Sequence, residues 1–323
     1  MKLKQVTAVY FSPTGNAKRI VSAIAEAVAG QLETFYEKTE MYGDRLETFN
    51  EKTQMCGTRA ETSFHKQTAD STGTKIPVRT IDFTLPAARQ ETYRFEAGDL
   101  VVFGTPVYAG RIPNRILPAV QTLFEGNGAL AVPVVTFGNR SFDNALIELR
   151  IELEQHGFHT IAGAAFVSEH VFSGKLAPGR PDADDFETMR RFAAQVAEKA
   201  AAIPAGNQDG MAQIPAPVRV KGIEPVPGYY RPLQADGTPA VFLKAKPKTT
   251  DACNDCGLCV KVCPMGSISP EDPRTVTGIC IKCQACVKCC PVRARYFDDP
   301  AMLSHILMLE QNYARHAENE TFI

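Results

Sequence analysis

The stretch Leu3-Lys-Gln-Val-Thr-Ala-Val-Tyr-Phe11, then Ser12-Pro13-Thr14-Gly15-Asn16, then Ala17 to Ala29, decides how this chain begins to fold. Residues 3–11 are apolar and β-branched, the composition of a buried strand. Ala17 to Ala29 places Ile20, Val21, Ile24 and Val28 at helical spacing, with Gly30 as the expected stop. The same alternation recurs downstream. Strands are expected at 76–83, 99–104, 130–137 and 159–168, and helices near 113–125, 142–156 and 183–202. Five short apolar strands alternating with helices give an α/β, doubly wound parallel sheet covered on both faces.

At 323 residues, 44% of them hydrophobic, the chain is long enough for more than one unit with a buried core. Its net charge is −1, from 35 basic and 36 acidic residues, which removes any global electrostatic case for nucleic acid. Met1 to Ser12 is too short for a signal peptide and no apolar run approaches a membrane span, so a cytoplasmic location is expected. Cysteine usage is lopsided. Nine of the ten lie between 253 and 290, and Cys56 stands far upstream. Clustered cysteines in a long chain without a signal point to metal rather than to disulfides.

Residues 31–75 read as an insertion with internal similarity. Leu32 to Arg45 is followed by a close copy, Leu46 to Arg59, and a degraded third copy begins at Ala60. The period of two heptads lets Leu32, Phe35, Leu46 and Phe49 share a helical stripe, although Gly43 and Gly57 each cost about 1 kcal/mol relative to Ala. A surface decoration and a partner or homo-oligomer contact are both open readings. Residues 203–249 form a connector whose prolines, Pro204 to Pro247, exclude a long helix. It also carries Val218, Ile223, Tyr229, Tyr230, Val241 and Phe242, which suits packing on a domain.

From 253 the chain reads Cys253-Asn-Asp-Cys256-Gly-Leu-Cys259-Val-Lys-Val-Cys263-Pro264, and from 280 Cys280-Ile-Lys-Cys283-Gln-Ala-Cys286-Val-Lys-Cys289-Cys290-Pro291. Both fit C-x2-C-x2-C-x3-C-P. Three thiolates two residues apart wrap a tight loop around three corners of a cubane, while the fourth, before a turning Pro, reaches the other cluster. One [4Fe–4S] cluster then takes Cys253, Cys256, Cys259 and Cys290, and a second takes Cys280, Cys283, Cys286 and Cys263. Zinc is the rival, but its sites favour separated pairs of ligands. Cys289 is surplus to both runs. Residues 250–298 resemble the bacterial two-[4Fe–4S] ferredoxins, which implies a small α+β domain and one-electron transfer.

Ser12 to Asn16 lies between the first strand and the first helix, where hydroxyls, a glycine turn and free helix amides suit a phosphate. The third strand ends in Phe103-Gly104-Thr105-Pro106-Val107-Tyr108-Ala109-Gly110, and the fourth in Phe137-Gly138-Asn139-Arg140-Ser141-Phe142-Asp143. Ligands of open parallel sheets sit outside the carboxyl ends of the strands. At these three loops residues 1–202, apart from the insertion, resemble the flavodoxin family. The resemblance implies a five-stranded sheet of order 2-1-3-4-5 and bound FMN. It implies that Ser12, Pro13, Thr14, Gly15, Asn16 and Ala17 form the phosphate loop. It also implies that Thr105, Pro106, Val107, Tyr108, Ala109 and Gly110 run past the ring with Tyr108 against it. Gly138, Asn139, Arg140, Phe142 and Asp143 line the other side. The family loop often has Thr where Ala17 stands.

The whole chain resembles the flavodoxin–ferredoxin fusion proteins of anaerobic bacteria and archaea, with residues 299–323 as a helical tail. His170, in Ser168-Glu169-His170, is a candidate for handling protons at the flavin, or a satisfied core histidine. Arg140 is a candidate for stabilising anionic reduced flavin, or a salt-bridge partner. The expected function is electron transfer between two [4Fe–4S] clusters and FMN, linking a low-potential donor such as ferredoxin to a redox partner. The alternative is an FMN-dependent reductase of a small acceptor, a quinone or a metabolite. No G-x-G-x-x-G follows a strand. Lys261, Lys282, Lys288, Arg293 and Arg295 surround the cysteines as either a guide for an acidic partner or a solvated face.

Overall fold

The structure, a computed structural model, describes residues 2–53, 75–204 and 215–323, with only the backbone described for 39–53. Its centre is a sheet built from β1 (Gln5–Tyr10), β2 (Val78–Asp82), β3 (Asp99–Pro106), β4 (Leu130–Phe137) and β5 (Gly163–Val167). Their order is 2-1-3-4-5 and all of them run parallel. The expected last strand is interrupted: His159–Thr160 pairs with the start of β4, and β5 begins three residues later.

Alternation along each strand fills two separate cores. On one face Val6, Ala8, Tyr10, Val102, Val132 and Phe166 pack under α1 (Asn16–Thr53) and α4 (Ala183–Ala202). On the other, Val9, Phe11, Val101, Phe103, Val135 and Val167 pack under α2 (Leu117–Leu123) and α3 (Ala145–Gln155). At Gly104 α1 lies tight against β3, since a Cβ there would lie 2.2 Å from Val21 Cγ2.

Gly30 does not stop the first helix, which runs on to Thr53. A single interior glycine costs about 1 kcal/mol, and the segment beyond it still has something to bury. Leu32 is fully enclosed in the core, and the Tyr36 hydroxyl accepts from the Leu3 amide at 3.0 Å. The helical stripe proposed for the repeat therefore holds for Leu32 only in part, because Phe35 is exposed. The backbone at Leu46 and Phe49 is helical, while Cys56, Gly57 and the third copy lie outside the described residues.

The C-terminal tail is more than helical. After α5 (Pro300–Asn312), β6 (Glu320–Phe322) joins the sheet antiparallel to β5 and covers its open edge. A buried ion pair holds it there. Arg180 Nε donates to Asp185 Oδ2 at 2.9 Å, the Arg180 guanidinium also donates to the Ala317 carbonyl, and Asn319 bridges the Asp185 carboxylate and the Val167 amide.

Candidate functional site: two cysteine pockets and the loops beside them

The cysteine segment is a pseudo-twofold repeat. Lys248–Thr249 and Arg295–Tyr296 pair antiparallel, and the halves carry matching helical turns, Leu258–Lys261 and Ala285–Lys288. Each turn is entered through left-handed backbone, at Asp255 and Gly257 in one half and at Lys282 and Gln284 in the other. In each half the fourth cysteine accepts an amide four residues on: Ser267 N–H to Cys263 Sγ at 3.3 Å, and Ala294 N–H to Cys290 Sγ at 3.2 Å.

Two pockets result, and their linings divide eight of the cysteines four and four. One is lined by Cys253, Cys256, Cys259 and Cys290, the other by Cys263, Cys280, Cys283 and Cys286. Cys289 lines neither and is exposed. Among the described residues no three His, Cys, Asp or Glu side chains converge as ligands of a single ion would. The thiols instead rim a space, which suits a cubane bound at its corners. Burial differs between the two sets. In the second it pushes the Cys283 thiol up to about 12 and the Cys286 thiol up to about 11, whereas Cys256 of the first set is exposed.

The second pocket faces the carboxyl ends of the sheet. Met265 and Ile281 pack on the core beneath β3 and β4, Arg89 donates to the Pro264 carbonyl, and Lys288 pairs with Glu169 at 2.8 Å. Tyr108 stands at this junction. Burial, with the neighbouring Cys283 and Cys280, pushes its phenol well up. Tyr108 and Arg111 bond to each other across a two-residue turn in which Ala109 and Gly110 both have positive φ. That turn conformation aims the chain back sharply and strongly favours glycine.

The loop expected to hold a phosphate follows β1 and leads into α1. Gly15 has φ +88° and nothing within 4 Å of where a Cβ would stand. The first-turn amides of a helix lack intrahelical acceptors. Here the Lys18 amide goes to Ser12 Oγ at 2.9 Å and the Arg19 amide to the Gly15 carbonyl at 3.0 Å.

The remaining loop residues divide by role. Gly138 lies under His170, for a Cβ there would be 2.4 Å from its Cδ2. Asn139 does not face an open site: its amide donates to the Tyr313 and Arg315 carbonyls of the tail. Phe142 is buried beside Phe137 in the core, and partly buried Val107 packs on that core too. Buried Thr105 Oγ1 has no partner among the described residues.

Arg140 is paired with Asp143 and lies over the Tyr230 ring, 4.1 Å from its centroid. Arg111 does the same one loop away, bound to buried Glu148 and 4.5 Å above the Tyr229 ring. The proline-rich connector thus straps both loops, and the Tyr230 amide bonds to the Ala109 carbonyl at 2.8 Å. Nothing in the sequence marked these stacks beyond two adjacent tyrosines. Between the strap and the loops, Gly110, Arg140, Asp143, Lys221 and Tyr230 line an open cavity of about 490 Å³.

Residues 247–269 match the 4Fe-4S binding domain family. The chain joins a flavodoxin-like sheet to a 4Fe-4S binding domain. Among solved structures, a flavodoxin from the domain Archaea is 14% identical, covering 61% of this chain and 99% of that one, with a TM-score of 0.33. A protein described as a flavoprotein, from Bacteroides uniformis ATCC 8492, is 14% identical, with coverages of 59% and 98% and a TM-score of 0.30. No curated protein matches. The strand order establishes the class of the flavodoxin-like domain independently of these likenesses.

His170 is held neutral at that domain's edge. Burial, with the positive charges of His305, Lys288 and Arg140 adding to it, lowers its pKa to about 4. Its Nδ1 accepts from the Phe172 amide at 3.1 Å, which assigns the proton to Nε2. Of the basic residues around the 4Fe-4S binding domain, Lys288 is paired, Lys282 bonds to the Leu243 and Cys280 carbonyls, and Arg295 is buried. Lys261 and Arg293 remain on the exposed face. Among the described residues no helix is long and apolar enough to cross a membrane.

Proposed function

We propose that this chain is an electron-transfer iron–sulfur flavoprotein that passes electrons between two [4Fe–4S] clusters and FMN, linking a low-potential donor such as ferredoxin to a redox partner. The observation that carries the reading is the division of eight cysteines between two pockets, the second of them set against Tyr108 and the carboxyl ends of the sheet. When bound, the clusters supply one-electron steps and the flavin accepts one electron or two.

Cys253, Cys256, Cys259 and Cys290 hold the first cluster, and Cys263, Cys280, Cys283 and Cys286 the second. The first set includes exposed Cys256 and suits entry from a partner, while Cys283 and Cys286 of the second are buried. Ser12, Thr14, Gly15, Asn16 and Ala17 hold the FMN phosphate, Tyr108 borders the ring, and Gly138 leaves room for His170 beside it. Neutral His170 offers its Nε2 proton there as a hydrogen-bond donor. Arg140, already paired with Asp143 and Tyr230, keeps its loop in place and brings one positive charge to that side.

The alternative, a reductase of a small acceptor, draws support from the cavity of about 490 Å³ beside Arg140. Stopped-flow mixing of the oxidised protein with reduced ferredoxin separates the two. A Cys256→Ser protein should show flavin reduction slowed at least tenfold if electrons enter through the first cluster. Unchanged flavin reduction there, together with rapid turnover of a quinone, would favour the reductase.

A further inference from the structure

Among the described residues of the 4Fe-4S binding domain, Arg295 is the only charged side chain that is buried, at 4% exposure. It rises from the short strand paired with Lys248–Thr249 and lines the first cysteine pocket. Its Nη1 donates to Thr249 Oγ1 at 3.2 Å and to the Pro273 carbonyl, and lies 4.0 Å from Cys259 Sγ. Its Nε and Nη2 are buried with no partner. The domain's ion pairs, Lys248–Asp298, Arg274–Asp255 and Lys288–Glu169, do not include it.

A guanidinium removed from water without a counter-charge is strongly unfavourable, and orphaned N–H groups add to the penalty. Something in the assembled protein must supply negative charge and acceptors at that spot. Cysteine-ligated clusters do both, since their sulfurs accept hydrogen bonds and their net charge is negative.

Resting on the two-cluster reading above, we infer that Arg295 is the counter-charge and hydrogen-bond donor to the group that Cys253, Cys256, Cys259 and Cys290 hold, and that it raises that cluster's reduction potential. Reduction adds negative charge, so a fixed cation and N–H donors favour the reduced state. A solvated basic face is excluded by the burial, and the bonds to Thr249 and Pro273 account for Nη1 alone.

The test is an anaerobic redox titration of the full chain followed by EPR, on wild type, Arg295→Gln and Arg295→Lys, with iron and sulfide counted first. Arg295→Gln should retain the iron of wild type and lower the first cluster's reduction equilibrium constant at least tenfold, about 59 mV for a one-electron couple. The second cluster should shift less. Arg295→Lys, which keeps the charge and loses the fork, should shift the first cluster at least threefold in the same direction. A first-cluster equilibrium within twofold of wild type in the Gln protein overturns the inference. If the Gln protein holds no iron, the Lys protein decides by the same twofold limit. Loss of iron from both variants with the fold retained by circular dichroism shows a purely structural requirement and also overturns it. Absence of iron in wild type overturns the cluster reading itself, separately from any effect of Arg295.

Discussion

Replacing Asp185 by Ala should destabilise the flavodoxin-like domain by about 4 kcal/mol. The Asp185 side chain is 1% exposed and its partner Arg180 7% exposed, so the change leaves a cation buried without its carboxylate. Breaking such a pair costs about 3–5 kcal/mol. The carboxylate also accepts the Asn319 amide at 2.6 Å and the Asp182 amide at 2.8 Å, the second being half of the capping box that begins α4. Against a total stability of about 5–15 kcal/mol this is a large fraction. Burial alone would push the Asp185 carboxyl up, but the bonds from Arg180 and Asn319 outweigh it and hold its pKa below the usual range. A lowered folded pKa means the stabilisation is present above the unfolded value of about 3.9 and is lost as pH falls through the folded one. Urea denaturation followed by circular dichroism measures the loss at pH 7, and its pH series should show the acid slope reduced in Asp185→Ala. The double substitution Arg180→Met with Asp185→Leu should recover most of the loss. A loss under about 1 kcal/mol, or no recovery in the double variant, would refute the reasoning.

Three further outcomes are expected. Gly138→Ala should displace His170, because the new Cβ would lie 2.4–2.9 Å from its ring and Cα, and should lower stability by about 1–3 kcal/mol with weakened flavin retention, read by fluorescence of released flavin. His170, with a folded pKa of about 4, leaves the unfolded chain with more bound protons between about pH 4 and 6.5. Its contribution, up to about 3 kcal/mol, is complete above about pH 6.5 and lost toward pH 4. His170→Phe should flatten that part of the stability profile in chemical denaturation. Cys289→Ser should keep the iron content of wild type, whereas Cys290→Ser should lose most of the first cluster's EPR signal, because Cys290 and not Cys289 lines that pocket.

Much of the sheet was legible because its strands are buried on both faces and therefore read as unbroken apolar runs, as in Leu130 to Phe137. The grouping of the cysteines was legible from their repeated spacing, and the linings of two pockets group the same eight residues. What failed to show depended on long-range partners. Glu320-Thr-Phe322 has no strand signature of its own and is a strand only because β5 offers an open edge. Gly30 looked like a stop, yet Leu32 and Tyr36 find burial and a bond beyond it. Arg295 stands two residues after exposed Arg293 and looks no different in sequence, but it is buried where its strand pairs with Lys248–Thr249 and its guanidinium bonds to Thr249, 46 residues earlier. Asn139 and Phe142 belong to a loop with the right composition, but the tail claims one and the core the other.

The most direct test of the central claim is quantification of iron, acid-labile sulfide and flavin in anaerobically purified protein, with EPR of the dithionite-reduced sample. About eight irons and eight sulfides, one FMN, and a spectrum of two interacting reduced clusters are expected. Zinc in place of iron, about four irons alone, or no flavin would contradict the claim.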